Sequence, residues 1–299
     1  MRILVTGSNG QLGQYIQEIV RRTPNLLDEY IFASKEDLDI TDRESVEKYF
    51  NSNVINLVIN CAAYTNVEKA DEEKTLAWKV NSYGVENLRD VCSVRGIFII
   101  HISTDYVFDG INQGTPYLPT DEAHTDNVYG KTKREGEEKL SQYENSLVIR
   151  TSWLYGEKGG NFFTTVLNKI KNGETIRVVD DQIGTPTYAR DLAEFIVLIV
   201  EKRKYNLGDK IIHFTNSGVA SWYDFAFAIN LIYLIRLQLS SEKEEVYESY
   251  RVYPCSSKEY PSKVFRPSYS VLSKECLKIY EVGEVRHWID ALSDCFRRL

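Results

Sequence analysis

The chain has 299 residues, of which 43% are hydrophobic and 26% are charged, and its formal net charge at pH 7 is −7. This composition is ordinary for a folded globular protein and excludes the disordered and fibrous classes. The negative charge argues against a general binder of nucleic acid or of anionic membranes, while a local basic pocket for a phosphorylated ligand is compatible with it. We therefore expect a small molecule as the main partner.

The sequence gives no signal for a membrane segment, a secretory leader or a metal site. No apolar run approaches the roughly 18 residues of a membrane-spanning helix, and no charged-then-apolar leader precedes the first strand. The five cysteines are widely spaced without a Cys-x-x-Cys pair, and the four histidines stand singly, so neither a disulfide framework nor a zinc site is indicated. From these signals we expect a cytoplasmic protein.

Apolar strand-like runs alternate with amphipathic helical stretches through the first half of the chain. The pattern predicts strands at 2–6, 30–33, 54–60, 96–102 and 147–151, and helices near 10–22, 42–51, 72–95 and 127–143. This alternation predicts an α/β fold, with a parallel sheet covered by helices on both faces.

Beyond about residue 152 the alternation loosens. Helices are predicted at 161–171, 190–202, 222–237 and 285–296, with short strands near 176–179 and 211–214. We therefore expect a first domain at 1–152 and a smaller α/β substrate-binding lobe at 153–299, some segments of which return to the first domain. The charged stretch 240–245 is predicted to be an exposed loop.

A glycine turn directly follows the first predicted strand. Gly7, Gly10 and Gly13 have the spacing Gly-x-x-Gly-x-x-Gly and lead into the first predicted helix. Such a strand–turn–helix lets backbone N–H groups and a helix N-terminus meet a pyrophosphate. The turn predicts a dinucleotide-binding, Rossmann-type doubly wound sheet, and the alternative is an ordinary glycine-rich turn.

Tyr129 and Lys133 form a Tyr-x-x-x-Lys pair in the predicted helix 127–143. Side chains at i and i+4 share a helix face, and a nearby cation stabilises a phenolate, so the pair could exchange a proton with a substrate oxygen. Lys133 could also hydrogen-bond the ribose of a nicotinamide cofactor, and Tyr129 is a second candidate for contact with the cofactor. The alternative is a solvated helix face.

Thr104 lies in the run 99–108, an apolar strand that ends in hydroxyl residues, where open α/β sheets present ligand-facing residues. Its hydroxyl could donate a hydrogen bond to a carbonyl that is being reduced. The alternative is a threonine that only caps or turns the chain.

The end of the second strand normally decides whether the cofactor carries a 2′-phosphate. No acidic residue ends that strand directly, and Ser34 and Lys35 follow it, so NADP(H) is favoured. The neighbouring Glu36 keeps NAD(H) open.

Taken together, these motifs resemble the extended short-chain dehydrogenase/reductases, and specifically the dTDP-4-dehydrorhamnose reductase family. The glycine spacing is typical of the short-chain enzymes. The matching segments are 7–13, 39–41, 60–70, 80–81, 103–110, 127–133, 150–156, 161–162, 180–187, 222–226, 260–261 and 266–267. The resemblance implies an NAD(P)H-dependent reductase that converts the 4-keto group of dTDP-4-dehydro-L-rhamnose to the alcohol of dTDP-L-rhamnose.

The resemblance also implies roles for individual residues. Thr104, Tyr129 and Lys133 match the catalytic residues of the family. The positions that match cofactor-binding residues are Gly7, Gly10, Gln11, Leu12, Gly13, Asp39, Ile40, Ala62, Ala63 and Tyr64.

The sugar-binding positions of the family correspond to Thr65, Tyr106 and Trp153. A flat indole suits the C–H face of a hexose, and the alternative for Trp153 is a plain core aromatic. Arg266 is a candidate for the diphosphate, because a guanidinium binds two phosphate oxygens at once.

One departure concerns a metal-bridged dimer. Some family members dimerise through magnesium held by glutamates, and the corresponding positions here are Tyr15 and Arg190. We therefore predict no bridging magnesium and either a monomer or a metal-independent homodimer.

Two other interpretations stay open. One is reduction to the 6-deoxy-talose epimer, or of another nucleotide 4-ketosugar. The other is a non-catalytic relative, similar to the regulatory subunit of methionine adenosyltransferase, although the intact Thr104, Tyr129 and Lys133 argue against it.

Overall fold

The computed structural model describes residues 1–111, 114–240, 251–260, 262, 264–281 and 283–299. Residues 241–245 of the predicted charged loop lie outside the described residues, and Ser240 ends a helix. Within the described part of the chain, no helix has both the length and the apolar composition needed to cross a bilayer.

The first half forms alternating strands and helices. In chain order they are β1 (Arg2–Thr6), α1 (Gln11–Arg22), β2 (Glu29–Ala33), α2 (Arg43–Ser52), β3 (Leu57–Asn60), α3 (Lys74–Trp78), α4 (Gly84–Arg95), β4 (Phe98–Thr104), α5 (Val128–Ser141) and β5 (Ser146–Thr151). These five strands and β10 (Ile211–His213) form one parallel sheet in the order β10-β5-β4-β3-β1-β2. The predicted α/β fold of Rossmann type is therefore confirmed.

The central strands are buried on both faces because helices cover both sides of the sheet. Ile3 and Val5 of β1 pack into one core cluster, and the intervening Leu4 packs into the other. The alternation follows from the two-residue period of a strand. Continuous apolar runs in the sequence are the signature of such doubly covered strands.

The second half is built from shorter elements. They are β6 (Leu154–Tyr155), α6 (Phe162–Lys171), β7 (Ile176–Val179), β8 (Ile183–Gly184), β9 (Thr187–Tyr188), α7 (Ala189–Glu201), β10, β11 (Ala220–Ser221), α8 (Trp222–Ser240), β12 (Val252–Cys255) and α9 (Trp288–Arg297). Strand β10 joins the large sheet beside β5, and α7 packs against α1. The pairs β7–β12 and β8–β11 form separate small sheets, which pack with α8 outside the large sheet and are called the second lobe.

Two elements differ from their predicted form in ways that affect the cleft. Strand β4 extends to Thr104, two residues beyond its predicted end. The predicted helix 72–95 is interrupted by a π-helical turn at Lys79–Tyr83. That turn buries Asn81, whose amide bonds the backbone of Tyr64 and the hydroxyl of Thr132 and so ties the cofactor-side loop to α5.

Candidate active site

A cleft opens at the carboxyl ends of β1 and β3, where the strand order reverses direction. Open α/β sheets bind ligands at such a switch point. The cleft consists of a cavity of about 370 Å³ on the β2 side and one of about 640 Å³ that extends toward the second lobe. The two cavities share Gly10, Cys61 and Ala63 as lining residues, so they are contiguous.

The glycine turn forms one wall of this cleft. Helix α1 begins at Gln11, and Gly10 before it supplies no side-chain cap, so the first N–H groups of the helix have no side-chain acceptor. The buried Nε2 of Gln11 also has no hydrogen-bond partner among the described residues. These donors fit the pyrophosphate of a dinucleotide, which would accept from both.

Most of the expected cofactor positions line the cleft around that turn. Gly7, Asp39, Ile40, Ala62 and Tyr64 line the smaller cavity, and Leu12 lines the larger one. A side chain at Gly13 would collide with the backbone of Ser8, so this glycine acts through packing of α1 against the turn.

The structure corrects the expectation for Ser34. Lys35 and Glu36 line the smaller cavity, whereas Ser34 does not. The Ser34 hydroxyl donates to Asp37 Oδ2 at 2.8 Å, in a local turn that keeps it buried. Lys35 is therefore the cation available to a 2′-phosphate from this segment.

Helix α5 holds Tyr129 at the end of β4. The Asn127 side chain caps the helix by accepting from the Gly130 N–H. A Cβ on Gly130 would lie 2.1 Å from the carbonyl oxygen of Tyr106, so only glycine allows this approach. The close contact brings Tyr129 beside Thr104 and edge-to-face with Tyr106, at a ring separation of 5.6 Å.

Burial governs the protonation of Tyr129. The residue is 9% exposed, and burial raises the pKa of its phenol above the ordinary value, while a hydrogen bond with Thr104 opposes the rise. In the ligand-free protein the phenol is therefore protonated at neutral pH. This is the state that a proton donor needs.

Lys133 follows one helical turn later and is also buried. Its Nζ donates to the carbonyl oxygen of Ile102 at 2.7 Å and lies 3.4 Å from Nε2 of His101. Burial lowers the pKa of Lys133 from 10.5 to about 8, and the Glu137 carboxylate opposes this shift. Lys133 can therefore change its charge near neutral pH.

Thr104 is held by its neighbour Asp105. The Thr104 hydroxyl donates to Asp105 Oδ1 at 3.0 Å and accepts from the Tyr106 N–H at 3.2 Å. Burial raises the pKa of Asp105 from 3.8 to about 6, against hydrogen bonds that favour the carboxylate. While Asp105 is ionised, it holds the hydrogen that Thr104 would offer to a substrate carbonyl.

An aromatic wall, formed by Trp153, Trp222 and Phe162, closes the side of the cavity toward the second lobe. The two indoles stack at a centroid distance of 3.6 Å, and Phe162 packs 4.5 Å from Trp222. Trp153 has a left-handed backbone with φ of 46°, and a Cβ on Gly184 would lie 2.6 Å from its ring. Strained backbone of this kind is concentrated at functional sites.

The sequence predictions assigned no role to Trp222 or Phe162. Both stand in segments that match the family, 222–226 and 161–162, and each opens a helix at the cleft. A large aromatic residue at the first position of a helix was the signal in the sequence that could have pointed to these two residues.

Of the remaining predicted substrate residues, Thr65 and Arg266 each line a cavity. Tyr106 lines neither of these two cavities and packs against Tyr129. Thr65 lines the 640 Å³ cavity together with Thr104 and Trp153. Arg266 lines a neighbouring cleft of about 540 Å³, which shares Phe162 and Trp222 with the first, and it forms an ion pair with Glu68.

At the two positions where some family members have magnesium-binding glutamates, this chain forms contacts within itself. The Tyr15 hydroxyl donates to Glu157 at 2.6 Å, and Arg190 forms an ion pair with Glu18. The absence of a bridging magnesium stays a prediction.

A glycine turn at the switch point of a parallel sheet, facing a buried Tyr–Lys pair, defines an oxidoreductase that uses a dinucleotide cofactor. A family model described as the RmlD substrate binding domain matches residues 1–299. The chain belongs to this family.

Three similar proteins support this assignment. A dTDP-4-dehydrorhamnose reductase from Aggregatibacter actinomycetemcomitans is 42% identical over 235 residues, which cover 76% of this chain and 78% of the relative. The solved structure of a dTDP-4-dehydrorhamnose reductase from Clostridium acetobutylicum has a TM-score of 0.87 and 38% identity, and covers 100% of this chain and 99% of that chain. A dTDP-4-dehydrorhamnose reductase from Bacillus anthracis, solved in complex with NADP, has a TM-score of 0.86 and 32% identity over 100% and 99% of the two chains.

Proposed function

We propose that this protein catalyses the NADPH-dependent reduction of the 4-keto group of dTDP-4-dehydro-L-rhamnose to give dTDP-L-rhamnose. The observation that carries the proposal is the 640 Å³ cavity, in which Thr104, Tyr129 and Lys133 lie between the glycine turn and the aromatic wall. A dinucleotide and a hexose ketone would meet over one proton donor there. Relatives named for this reaction agree with it.

The protein residues handle the proton and orient the carbonyl. The bound cofactor would supply a hydride to the ketone carbon. Tyr129 gives its phenolic proton to the ketone oxygen as the negative charge develops there. The Thr104 hydroxyl turns its hydrogen from Asp105 to the same oxygen and donates a hydrogen bond to it. Lys133 stabilises the resulting tyrosinate through its positive charge and hydrogen-bonds the nicotinamide ribose.

The aromatic wall binds the sugar and the neighbouring cleft binds the nucleotide. Trp153 offers a flat apolar surface to the C–H face of the hexose, while Thr65 and Tyr106 satisfy its hydroxyls. The 540 Å³ cleft continues from Phe162 and Trp222, and it is lined by the basic residues Lys169, Arg177 and Arg266. A diphosphate bound there would compete with Glu68 for Arg266.

The cofactor preference for NADPH rests on Lys35. Its side chain lines the cavity next to β2, and a bound NADP in the Bacillus anthracis relative fits this preference. Glu36 lines the same cavity, so NADH is the weaker alternative rather than an excluded one.

The test is oxidation of NADPH and, separately, NADH by the purified protein, supplied with dTDP-4-dehydro-L-rhamnose that is generated in place. NMR of the product sugar identifies the stereochemistry at C4. Faster oxidation of NADPH with dTDP-L-rhamnose as product is the expected result. A 6-deoxy-talose product would contradict the proposed orientation of the substrate. Reduction of only another nucleotide 4-ketosugar would contradict the proposed substrate. Cofactor binding without turnover would favour the non-catalytic interpretation.

A further inference from the structure

A buried histidine stands behind the catalytic lysine and has no assigned part in the reaction. His101 lies inside strand β4 with no exposed surface, opposite Asn60 of β3 in the sheet register. Its two ring nitrogens face different partners. Nδ1 is 3.0 Å from the amide nitrogen of Asn60, and Nε2 is 3.4 Å from Nζ of Lys133.

The orientation of the Asn60 amide is fixed by groups other than His101. The Asn60 Oδ1 accepts from the Thr6 hydroxyl at 2.7 Å and from the backbone N–H of Ala62 at 3.2 Å. A backbone N–H can only donate, so the amide oxygen faces Ala62. The amide nitrogen must then face His101 and donate to it.

The direction of that hydrogen bond fixes the tautomer of His101. Because Nδ1 accepts from Asn60, a neutral imidazole carries its hydrogen on Nε2. Burial and the nearby Lys133 lower the pKa of His101 well below 6.5, so the ring is neutral. The Nε2–H group therefore points toward Nζ of Lys133.

An N–H donor beside Lys133 has opposite effects on its two protonation states. An ammonium has three donors and no acceptor, whereas an uncharged amine has a lone pair that accepts. We propose that His101 is a positioning residue which, held in its Nε2–H tautomer by Asn60, stabilises the uncharged amine of Lys133 by donating to it. The proposal deepens the function proposed above and rests on it for its catalytic meaning.

The other groups that face Lys133 differ in which of its protonation states they favour. The Ile102 carbonyl and the Glu137 carboxylate favour the ammonium, although Glu137 is engaged by a buried ion pair with Arg150. The Cys61 thiol faces it from the end of β3, and the Tyr129 phenol lies one turn away on α5. Burial lowers the pKa of Lys133 against these groups, and the His101 donor adds to the effect of burial in the proposal made here.

This balance serves the proton cycle of the reaction. After Tyr129 has given its proton to the ketone oxygen, the Lys133 ammonium can pass a proton to the tyrosinate and become an amine. His101 stabilises that amine until solvent returns the proton. A lysine that lost its proton only near the ordinary value of about 10.4 would make this transfer less favourable.

The decisive measurement is ¹⁵N NMR of the four histidines in the cofactor-free protein, which needs neither substrate nor turnover. The His101 signals are assigned by their loss in His101→Leu, with the exposed His124→Gln as the matched control. We expect the Nε2–H tautomer and no titration of His101 between about pH 5 and pH 9, a range that includes the ordinary pKa of histidine, about 6.5. An Nδ1–H tautomer or an imidazolium would overturn the proposal.

The effect on Lys133 is read from the ¹³Cε chemical shift of lysine as a function of pH, with exposed Lys131 as the internal control. We expect a midpoint near pH 8 in the wild-type protein. In His101→Leu the midpoint should rise by about one unit, since a donor to the amine is lost. Burial alone predicts no rise, and that result would contradict the proposal.

A second variant covers the case in which His101→Leu does not fold. In Asn60→Asp the side chain only accepts, so His101 should change to its Nδ1–H tautomer and offer a lone pair to the ammonium. An unchanged Nε2–H tautomer in this variant would show that Asn60 does not fix the ring. Because both readouts use the free protein, a failed proposal here is distinguishable from a failure of the reductase assignment.

Discussion

The floor and the aromatic wall of the cavity are built by different forces. The floor consists of Thr104, Tyr129 and Lys133, which are buried and held by directional hydrogen bonds at the ends of β4 and the start of α5. The wall consists of three aromatic rings from three segments of the second half of the chain, packed on one another. Removing a floor group should change the chemical step, whereas removing a wall ring should change substrate binding.

The largest effect is expected for Tyr129→Phe. The variant lacks the proton donor, so kcat should fall by roughly 10²–10⁴-fold, while the affinity for NADPH stays close to the wild-type value. Steady-state kinetics and a fluorescence titration with NADPH measure the two quantities. Tyr223→Phe, a change of the same type outside the cavity, is the control, and equal losses in both variants would remove Tyr129 from the mechanism.

The wall is tested by Trp222→Ala. The stacked partner of Trp153 is lost, at a cost of about 2 kcal/mol in substrate binding, so kcat/KM should fall about 30-fold, mainly through KM. Tyr223→Ala truncates the adjacent aromatic residue, which does not line the cavities, and serves as the matched control. A loss confined to kcat would contradict the division between floor and wall.

Asp105, which holds the floor residue Thr104, has a pH-dependent cost in stability that no wall residue shares. Burial raises the pKa of Asp105 to about 6, above its ordinary 3.8, so the protonated form is favoured by folding. The stability from this group is complete below pH 3.8 and is lost as the pH rises through 6. Asp105→Asn does not titrate and should be more stable than the wild type by about 1–2 kcal/mol above this range.

Urea unfolding at pH 4 and at pH 8 measures that difference. The gain should be present at the higher pH and close to zero at the lower one. A gain of equal size at both pH values would show that ionisation of Asp105 is not its source.

The smallest effect is expected outside the floor and the wall, for Lys35→Ala in the 370 Å³ cavity. An exposed cation contributes modestly, so KM for NADPH should rise about 3–10-fold while KM for NADH changes little. Lys48→Ala, on α2 and outside the cavity lining, is the control. An equal rise for both cofactors would indicate that Lys35 does not discriminate between them.

More of the floor than of the wall could be predicted from the sequence. The glycine turn and the Tyr-x-x-x-Lys pair depend on strand and helix periods, which are local, so spacing alone predicts which groups face each other. The stack of Trp153 on Trp222 joins segments that are distant in the chain, and only tertiary packing brings them together. No local period encodes that contact.

Two details of the site also depended on three-dimensional contacts. Ser34 was predicted to meet a phosphate, but the Asp37 carboxylate three residues later takes its hydroxyl. The low pKa of Lys133 depends on burial beneath β4, which the helix pattern of α5 does not reveal. The pattern therefore placed these residues near one another but did not reveal how deeply Lys133 is buried.

The reductase assignment is tested most directly by following a deuterium label. The protein is supplied with dTDP-4-dehydro-L-rhamnose and NADPH that carries deuterium on the transferable position of nicotinamide C4, and the product is examined by NMR. We predict dTDP-L-rhamnose with deuterium at C4 of the sugar. Oxidation of the cofactor without deuterium at that carbon, or no oxidation, would contradict hydride transfer to the 4-keto group.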